Sequence, residues 1–489
     1  MNVNTGGRRA VIALAAPALL LTCAVSSSAA PATAQLGADA SSVAGSPALH
    51  SSNPIVVGIP NLDLVGNIEG GAVDLYLPDG SIQVLTELKL GLIGQDEGTF
   101  NRFGKAVALA DLNGDEYPDL VVGAPGDWAD GSTPGHVDVL LGSASGFNSQ
   151  GATMLPSPAK AGDEFGAALA VTDKTLWIGA PGTDAPGAAS SGAVYRYAID
   201  ANGKATLQGS TTEATLGATG QPNERFGDVL ASAQEGVVVG VPEWDIGSAT
   251  GAGKIVRLRQ SETDAITAEI WNQNSPGVPG TAEDDDHFGA AVSVNGLVVG
   301  VPGEDVGTLW DAGAVQNFKL TTQKLVPQAF QTQNSKGIPG TAEAYDEYGT
   351  SVALGIFDCH EVSSMAVGAP GEDIGKVENA GSVTISDLED GDFGCPARLL
   401  RQGKGLPGSP EDGDRVGTAV GTVNGDPDAE EDRTDILLVG APGENVGTAK
   451  AGQDAGRVTT RRMYKGATQS FGFSGGDRQL LRYGSFFGS

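Results

Sequence analysis

Three features of this 489-residue chain predict an all-β fold, a ring of seven four-stranded blades. An apolar triplet followed by Gly-x-Pro recurs seven times, and an aromatic-Gly pair or its relic keeps step with six of the copies. Glycine is spread along the whole length, 73 residues in all. Short strands, tight turns and a fixed period belong to a repeat architecture.

The Gly-x-Pro copies are Gly58-Ile59-Pro60, Gly123-Ala124-Pro125, Gly179-Ala180-Pro181, Gly240-Val241-Pro242, Gly300-Val301-Pro302, Gly368-Ala369-Pro370 and Gly440-Ala441-Pro442. Runs such as Ile55-Val56-Val57 and Leu437-Leu438-Val439 feed them, and each reads as a short strand buried on both faces and ended by glycine and proline. Their prolines stand 65, 56, 61, 60, 68 and 72 residues apart. Ahead of the last six copies lie Phe103-Gly104, Phe165-Gly166, Phe226-Gly227, Phe288-Gly289, Tyr348-Gly349 and Val416-Gly417. After them come Gly-small-Val strand starts, as at Gly192-Ala193-Val194 and Gly313-Ala314-Val315. With a polar outer strand, the unit has four strands, which is a propeller blade.

Phe-Gly followed by Gly-Ala-Pro, repeated over roughly residues 53–489, resembles the FG-GAP repeat of integrin alpha-chain heads and of many secreted bacterial proteins. The resemblance implies a seven-bladed β-propeller. The first unit departs from it in having no Phe-Gly strand before Ile55, and Val416 replaces the aromatic in the last. Tyr483-Gly484 arrives 67 residues after Val416-Gly417, one period on. A C-terminal strand is therefore expected to complete the first blade and close the ring, removing the exposed sheet edges of an open array. An open β-solenoid is the rival arrangement.

Arg8 and Arg9, the apolar run Ala10 to Val25 and Ala32-Thr33-Ala34 read as an export signal over residues 1–34, with a linker at 35–52 and the propeller at 53–489. A transmembrane anchor is the alternative reading of the apolar run. Export predicts a secreted, extracellular protein in which Cys359 and Cys395 form one disulfide or remain two thiols. With 29 Lys and Arg against 60 Asp and Glu, a net charge of -31, the chain repels phosphate backbones and is not expected to bind nucleic acid.

Asp111-Leu-Asn113-Gly-Asp115-Glu-Tyr117-Pro-Asp119 places oxygen side chains at positions 1, 3, 5 and 9, with the Tyr117 carbonyl at position 7. Alternate spacing lets one tight loop turn its oxygens around a hard cation, and Ca²⁺ takes six to eight of them. The strand Leu120 to Pro125 follows at once, as it does in the calcium loops of the resembled family. Glu116 stands where that family usually has glycine. A second, weaker loop offers Asn424, Asp426 and Asp435, with Thr422 in place of its first aspartate.

Strand alternation puts the loops entering Phe-Gly and leaving Gly-Ala-Pro on one face. These carry Glu283 to Asp286, Asp346-Glu347 and Glu411-Asp412, together with Glu304-Asp305, Glu372-Asp373 and Glu444, so that face is expected to be acidic. Catalytic signals are poor. Gly472-Phe473-Ser474-Gly475-Gly476 matches a nucleophile-elbow string without its strand-to-helix context, and His50, His136, His287 and His360 show no metal or triad spacing. The expectation is a secreted, monomeric, calcium-binding propeller that captures an extracellular protein or glycan ligand as a binding or adhesion module. An extracellular polysaccharide hydrolase or lyase, or a propeller lectin, is the alternative.

Overall fold

In each described repeat the Gly-x-Pro run forms a strand buried along almost all of its length, as the unbroken apolar triplets predict. The computed structural model describes residues 54–60, 62, 70–77, 81–92, 101–126, 134–143, 146–147, 152–172, 175–233, 235–261, 263–294, 296–357, 363–388, 396–423, 435–444, 457–462 and 468–472. The export segment, the linker, Cys359, Cys395, His50, His360, Asn424, Asp426 and the tail with Tyr483-Gly484 lie outside them.

The strands form seven sheets, numbered here as blades in chain order. Blade 1 has three described strands, Ile55–Ile59, Ala72–Tyr76 and Ile82–Leu85, in keeping with the absent Phe-Gly strand. Blade 2 runs through Ala106–Ala110, Asp119–Ala124, His136–Leu140 and Ala152–Met154. Blade 3 runs through Leu169–Thr172, Thr175–Ala180, Ala193–Ile199 and Ala205–Thr211. Blade 4 comprises Val229–Ala233, Gly236–Val241, Lys254–Gln260 and Ile266–Trp271, and blade 5 comprises Ala291–Ser293, Val298–Val301, Ala314–Leu320 and Leu325–Gln331. Blade 6 has Ser351–Gly355, Ser364–Ala369, Ser382–Asp387 and Arg398–Gln402, with a two-residue parallel extension at Gly405–Leu406. Blade 7 has Ala419–Val423, Ile436–Ala441, Arg457–Arg462 and Thr468–Gly472. Pairing within each blade is otherwise antiparallel, and the outer strands are half exposed.

Seven apolar clusters join the blades, each spanning two neighbours. Six follow the chain. The seventh packs Ile55, Val57 and Ile59 of blade 1 with Val423, Ile436 and Leu438 of blade 7, so the ring closes through the side chains of described strands. That closure buries two sheet faces an open solenoid would leave wet.

The repeated motif is the stitch between blades. The backbone N–H at the aromatic position donates to the preceding blade six times: Phe103 to Gly70, Phe165 to Pro134, Phe226 to Ser191, Phe288 to Ala252, Tyr348 to Ala312 and Val416 to Ala380. Because the bond is main-chain, Val416 serves as well as an aromatic. The next glycine then donates back to the Gly-x-Pro glycine of its own blade, as from Gly289 to Gly300 at 3.0 Å. A Cβ on Gly300 would overlap the Gly349 carbonyl of the following blade, so the blades approach only through glycine.

Candidate functional site

The loop between the first two strands of blade 2 gathers three of the five predicted ligands. Asp111 Oδ1 accepts from the backbone N–H groups of Gly114 at 2.6 Å and Asp115 at 3.0 Å, and its Oδ2 accepts from Glu116 at 3.0 Å. Asn113 Oδ1 accepts from Asp115 N at 2.9 Å, and the Asn113 amide donates to Asp115 Oδ2 at 3.1 Å. Asp111, Asn113 and Asp115 therefore share one turn, and the oxygens they bring together are the donor type a hard ion such as calcium takes. Glu116 adopts φ 73°, the left-handed conformation that glycine takes freely. The loop keeps its shape there at a cost of about 1–2 kcal/mol.

Asp119 is held by backbone donors at the end of the loop. It is buried, and it accepts from Leu112 N at 2.9 Å, Asn113 N at 3.3 Å and Gly142 N at 2.8 Å, pinning both ends of the loop. Burial pushes its carboxyl above the usual range, and those three N–H groups oppose the shift. Tyr117 is exposed. Asp435 of the second loop is tied to blade 6, accepting from Ile356 N at 2.8 Å.

The acidic loops do share a face, because they bond to one another. Gly303 N donates to Asp286 O, Gly371 N to Asp346 O and Gly443 N to Asp414 O. Some of their carboxylates, however, are not surface charge. Asp286, Asp346, Asp414 and Glu444 are buried at the blade junctions. Asp284, Asp305, Asp373 and Asp412 each accept a backbone N–H at 2.8–3.0 Å.

One internal pattern repeats at three junctions. Gln273 donates to Glu304 at 2.6 Å between blades 4 and 5, and Gln333 to Glu372 at 2.5 Å between blades 5 and 6. Gln402 donates to Glu444 between blades 6 and 7. Beside each pair stands a buried aspartate two residues before the aromatic position. Burial pushes Glu304 up to about 8, Asp286 to about 6 and Asp346 to about 7, with neighbouring carboxylates adding to each. Split carboxyls of this kind suit acid–base catalysis. The pairs recur at three junctions, and at each the Gln–Glu bond links one blade to the next.

The same face also holds an exposed aromatic pair that the sequence pattern did not single out. Three residues before the aromatic position the backbone is left-handed in five blades, at Gly162, Asn223, Asp285, Tyr345 and Gly413. Four of these are residue types that tolerate the conformation. Tyr345 is not, and it holds φ 70° while 53% exposed. Its N–H donates to the carbonyl of Trp310, which is 64% exposed. Nearby, the Asp311 carboxyl is raised by burial and by Asp305 and Asp285, with His287 opposing, which places all four in one local field.

Models of the FG-GAP repeat match residues 103–152 and 149–197. The mouse (Mus musculus) integrin alpha-IIb is 37% identical over 102 residues, 21% of this chain, which spans 10% of that relative's length. Among solved structures, a protein from Lactobacillus plantarum covers 88% of this chain, and 97% of its own, at TM-score 0.42 and 10% identity. The periplasmic gluconolactonase of Pseudomonas aeruginosa covers 87%, and 97% of its own, at TM-score 0.45 and 10% identity. Neither likeness bears on this chain's activity. No helix among the described residues is long and apolar enough to cross a membrane. Seven blades stitched through Phe-Gly and Gly-Ala-Pro, together with the repeat matches over residues 103–197, support an FG-GAP, integrin alpha-like propeller.

Proposed function

We propose that this protein is a secreted, calcium-braced propeller that captures an extracellular protein or glycan ligand on its acidic loop face. The observation that carries the reading is the pair Trp310 and Tyr345, two large aromatics held in the open, one of them against its backbone preference. The left-handed turn recurs in five blades, but only here does it carry an exposed ring, and outliers of that kind cluster at ligand clamps. A ring face beside carboxylates suits a sugar or a basic peptide. Asp111, Asn113, Asp115, the Tyr117 carbonyl and Asp119 are the groups that would hold Ca²⁺, which would brace the far end of blade 2 without taking part in capture.

Tyr345→Asn removes the ring at a position where asparagine accepts the backbone. On an array of glycans and basic proteins, the variant should lose the ligands that the wild type retains, at an unchanged melting temperature. Equal capture by both would sink the reading. Calcium is tested separately by thermal melting. Replacing chelator with calcium at a hundredfold excess over Kd should stabilise the fold by roughly 2.7 kcal/mol. Asp115→Ala should lose that gain.

A further inference from the structure

Outside the calcium loop and the acidic face, one cluster at the junction of blades 1 and 2 has the composition of a metal centre. Glu87 lies in the single-turn helix Glu87–Leu90 after the outer strand of blade 1, while His136 and Asp138 lie on the third strand of blade 2. Their ligand atoms all fall within 4.8 Å of one another. We propose that Glu87, His136 and Asp138 form a binding site for a divalent transition-metal ion, with zinc preferred.

Three observations carry this. Asp138 is 0% exposed and neither of its carboxylate oxygens has a hydrogen-bond partner among the described residues, although a buried unpaired carboxylate costs several kcal/mol. The group that could offset its charge is the imidazole, with His136 Nε2 3.6 Å from Asp138 Oδ2. That nitrogen also contacts Glu87 Oε1, and one Nε2–H cannot satisfy both carboxylates. A divalent ion between the three would neutralise both acids at once. Second, the Glu87 carboxylate is already oriented. The Asn101 amide donates to its Oε2 at 2.9 Å, the outer-shell support typical of metal-binding carboxylates.

The third observation is a comparison within the ring. Lys254 follows Gly253 as His136 follows Gly135, and at the junction of blades 3 and 4 its ammonium reaches Glu213 at 2.6 Å and Glu224 at 4.0 Å. A full positive charge thus occupies the corresponding place between two acids. Histidine supplies less charge than lysine at neutral pH but is a metal ligand, which lysine is not. One imidazole nitrogen with two carboxylates selects zinc over calcium, which takes oxygen alone. Three protein ligands leave a fourth position open, and the partly exposed His136 gives a path of entry.

The test uses the full chain, stripped with chelator and returned to millimolar calcium so that the oxygen-only loop is filled. Titration with Co²⁺ should give one equivalent of visible d–d absorption, abolished by one equivalent of Zn²⁺. His136→Ala and the near-isosteric Asp138→Asn should each weaken zinc binding by ten- to a hundredfold, while Asp115→Ala leaves it unchanged. Zinc should also protect His136 of the wild type from diethyl pyrocarbonate, read by peptide mass, which answers the question without any substitution. Absence of cobalt absorption, equal binding by both site variants, or unprotected His136 would each overturn the proposal.

Discussion

The junction of blades 3 and 4 and the three junctions after it solve one packing problem with opposite charge. In each, a side chain at or just beyond the end of the outer strand reaches into the next blade, where a buried acid stands two residues before the aromatic position. Between blades 3 and 4 that side chain is Glu213, the buried acid is Glu224, and Lys254 stands among them over the Trp244 ring, 3.0 Å from its centroid. In the next junction glutamine replaces Glu213 at Gln273, Glu304 takes the place of Trp244, and Ala314 the place of Lys254. The acids keep their number and lose their cation. A buried carboxyl without a cation keeps its proton to higher pH than a free one, and this is the direction in which Glu304, Asp286 and Asp346 are shifted. Burial raises Glu224 too, to about 7, but there Lys254 opposes the shift, whereas no cation opposes it at Glu304, Asp286 or Asp346.

Removing the lysine should break the comparison most severely. Lys254→Met leaves Glu213 and Glu224 buried without a partner, and loss of one member of such a pair costs about 3–5 kcal/mol. Urea denaturation at pH 7 measures it. A loss below about 1 kcal/mol would show that the junction is wet and its charges solvated.

The acid junctions should respond to pH instead. A carboxyl raised in the folded state holds its proton there and gives it up in the unfolded chain, so its stabilisation is complete near pH 4 and is lost as pH rises towards 8. Glu304→Gln keeps an acceptor for Gln273 while removing that ionisation. It should add about 1 kcal/mol at pH 8.5 and nothing at pH 5. Asp285→Asn changes the overall charge equally at an exposed site and serves as the control. If both variants gain alike at pH 8.5, the effect is general repulsion in an acidic chain and the buried pair plays no special part.

Much of this fold was legible because the motif residues act through the main chain. Gly300 is required where two backbones touch, and the N–H at the Phe288 position makes the same bond at six junctions, so both leave a period in the sequence. Val416 broke the aromatic pattern without breaking the bond. The site was less legible. Asp286 and Asp284 are both aspartates in one acidic run, yet one is buried at a junction and the other accepts from the Thr250 N–H at an exposed loop. Their chemistry is decided by the neighbouring blade, which the local string does not contain. Glu87 and His136 stand 49 residues apart, a separation with no motif, and only blade packing brings them together. Tyr345 did leave a signal, since an aromatic fills a place that Gly162, Asn223, Asp285 and Gly413 hold elsewhere.

The smallest effect on stability should come from the charges that remain on the surface, and it sharpens the contrast with the buried ones. Glu283 and Asp285 are exposed, and asparagine suits the left-handed backbone at Asp285. The double variant Glu283→Gln, Asp285→Asn should therefore change folding stability by no more than about 0.5 kcal/mol. Association with a basic ligand is another matter, because long-range attraction acts before contact. The double variant should slow the association rate at low salt, and the difference should shrink as ionic strength rises and the Debye length falls to about 8 Å at physiological salt. Stopped-flow association with a Lys-rich peptide, followed from about 20 to about 500 mM salt, reads both. A rate that is independent of salt in the wild type would show that the face does not steer its ligand, leaving the aromatic pair as the whole of the capture surface.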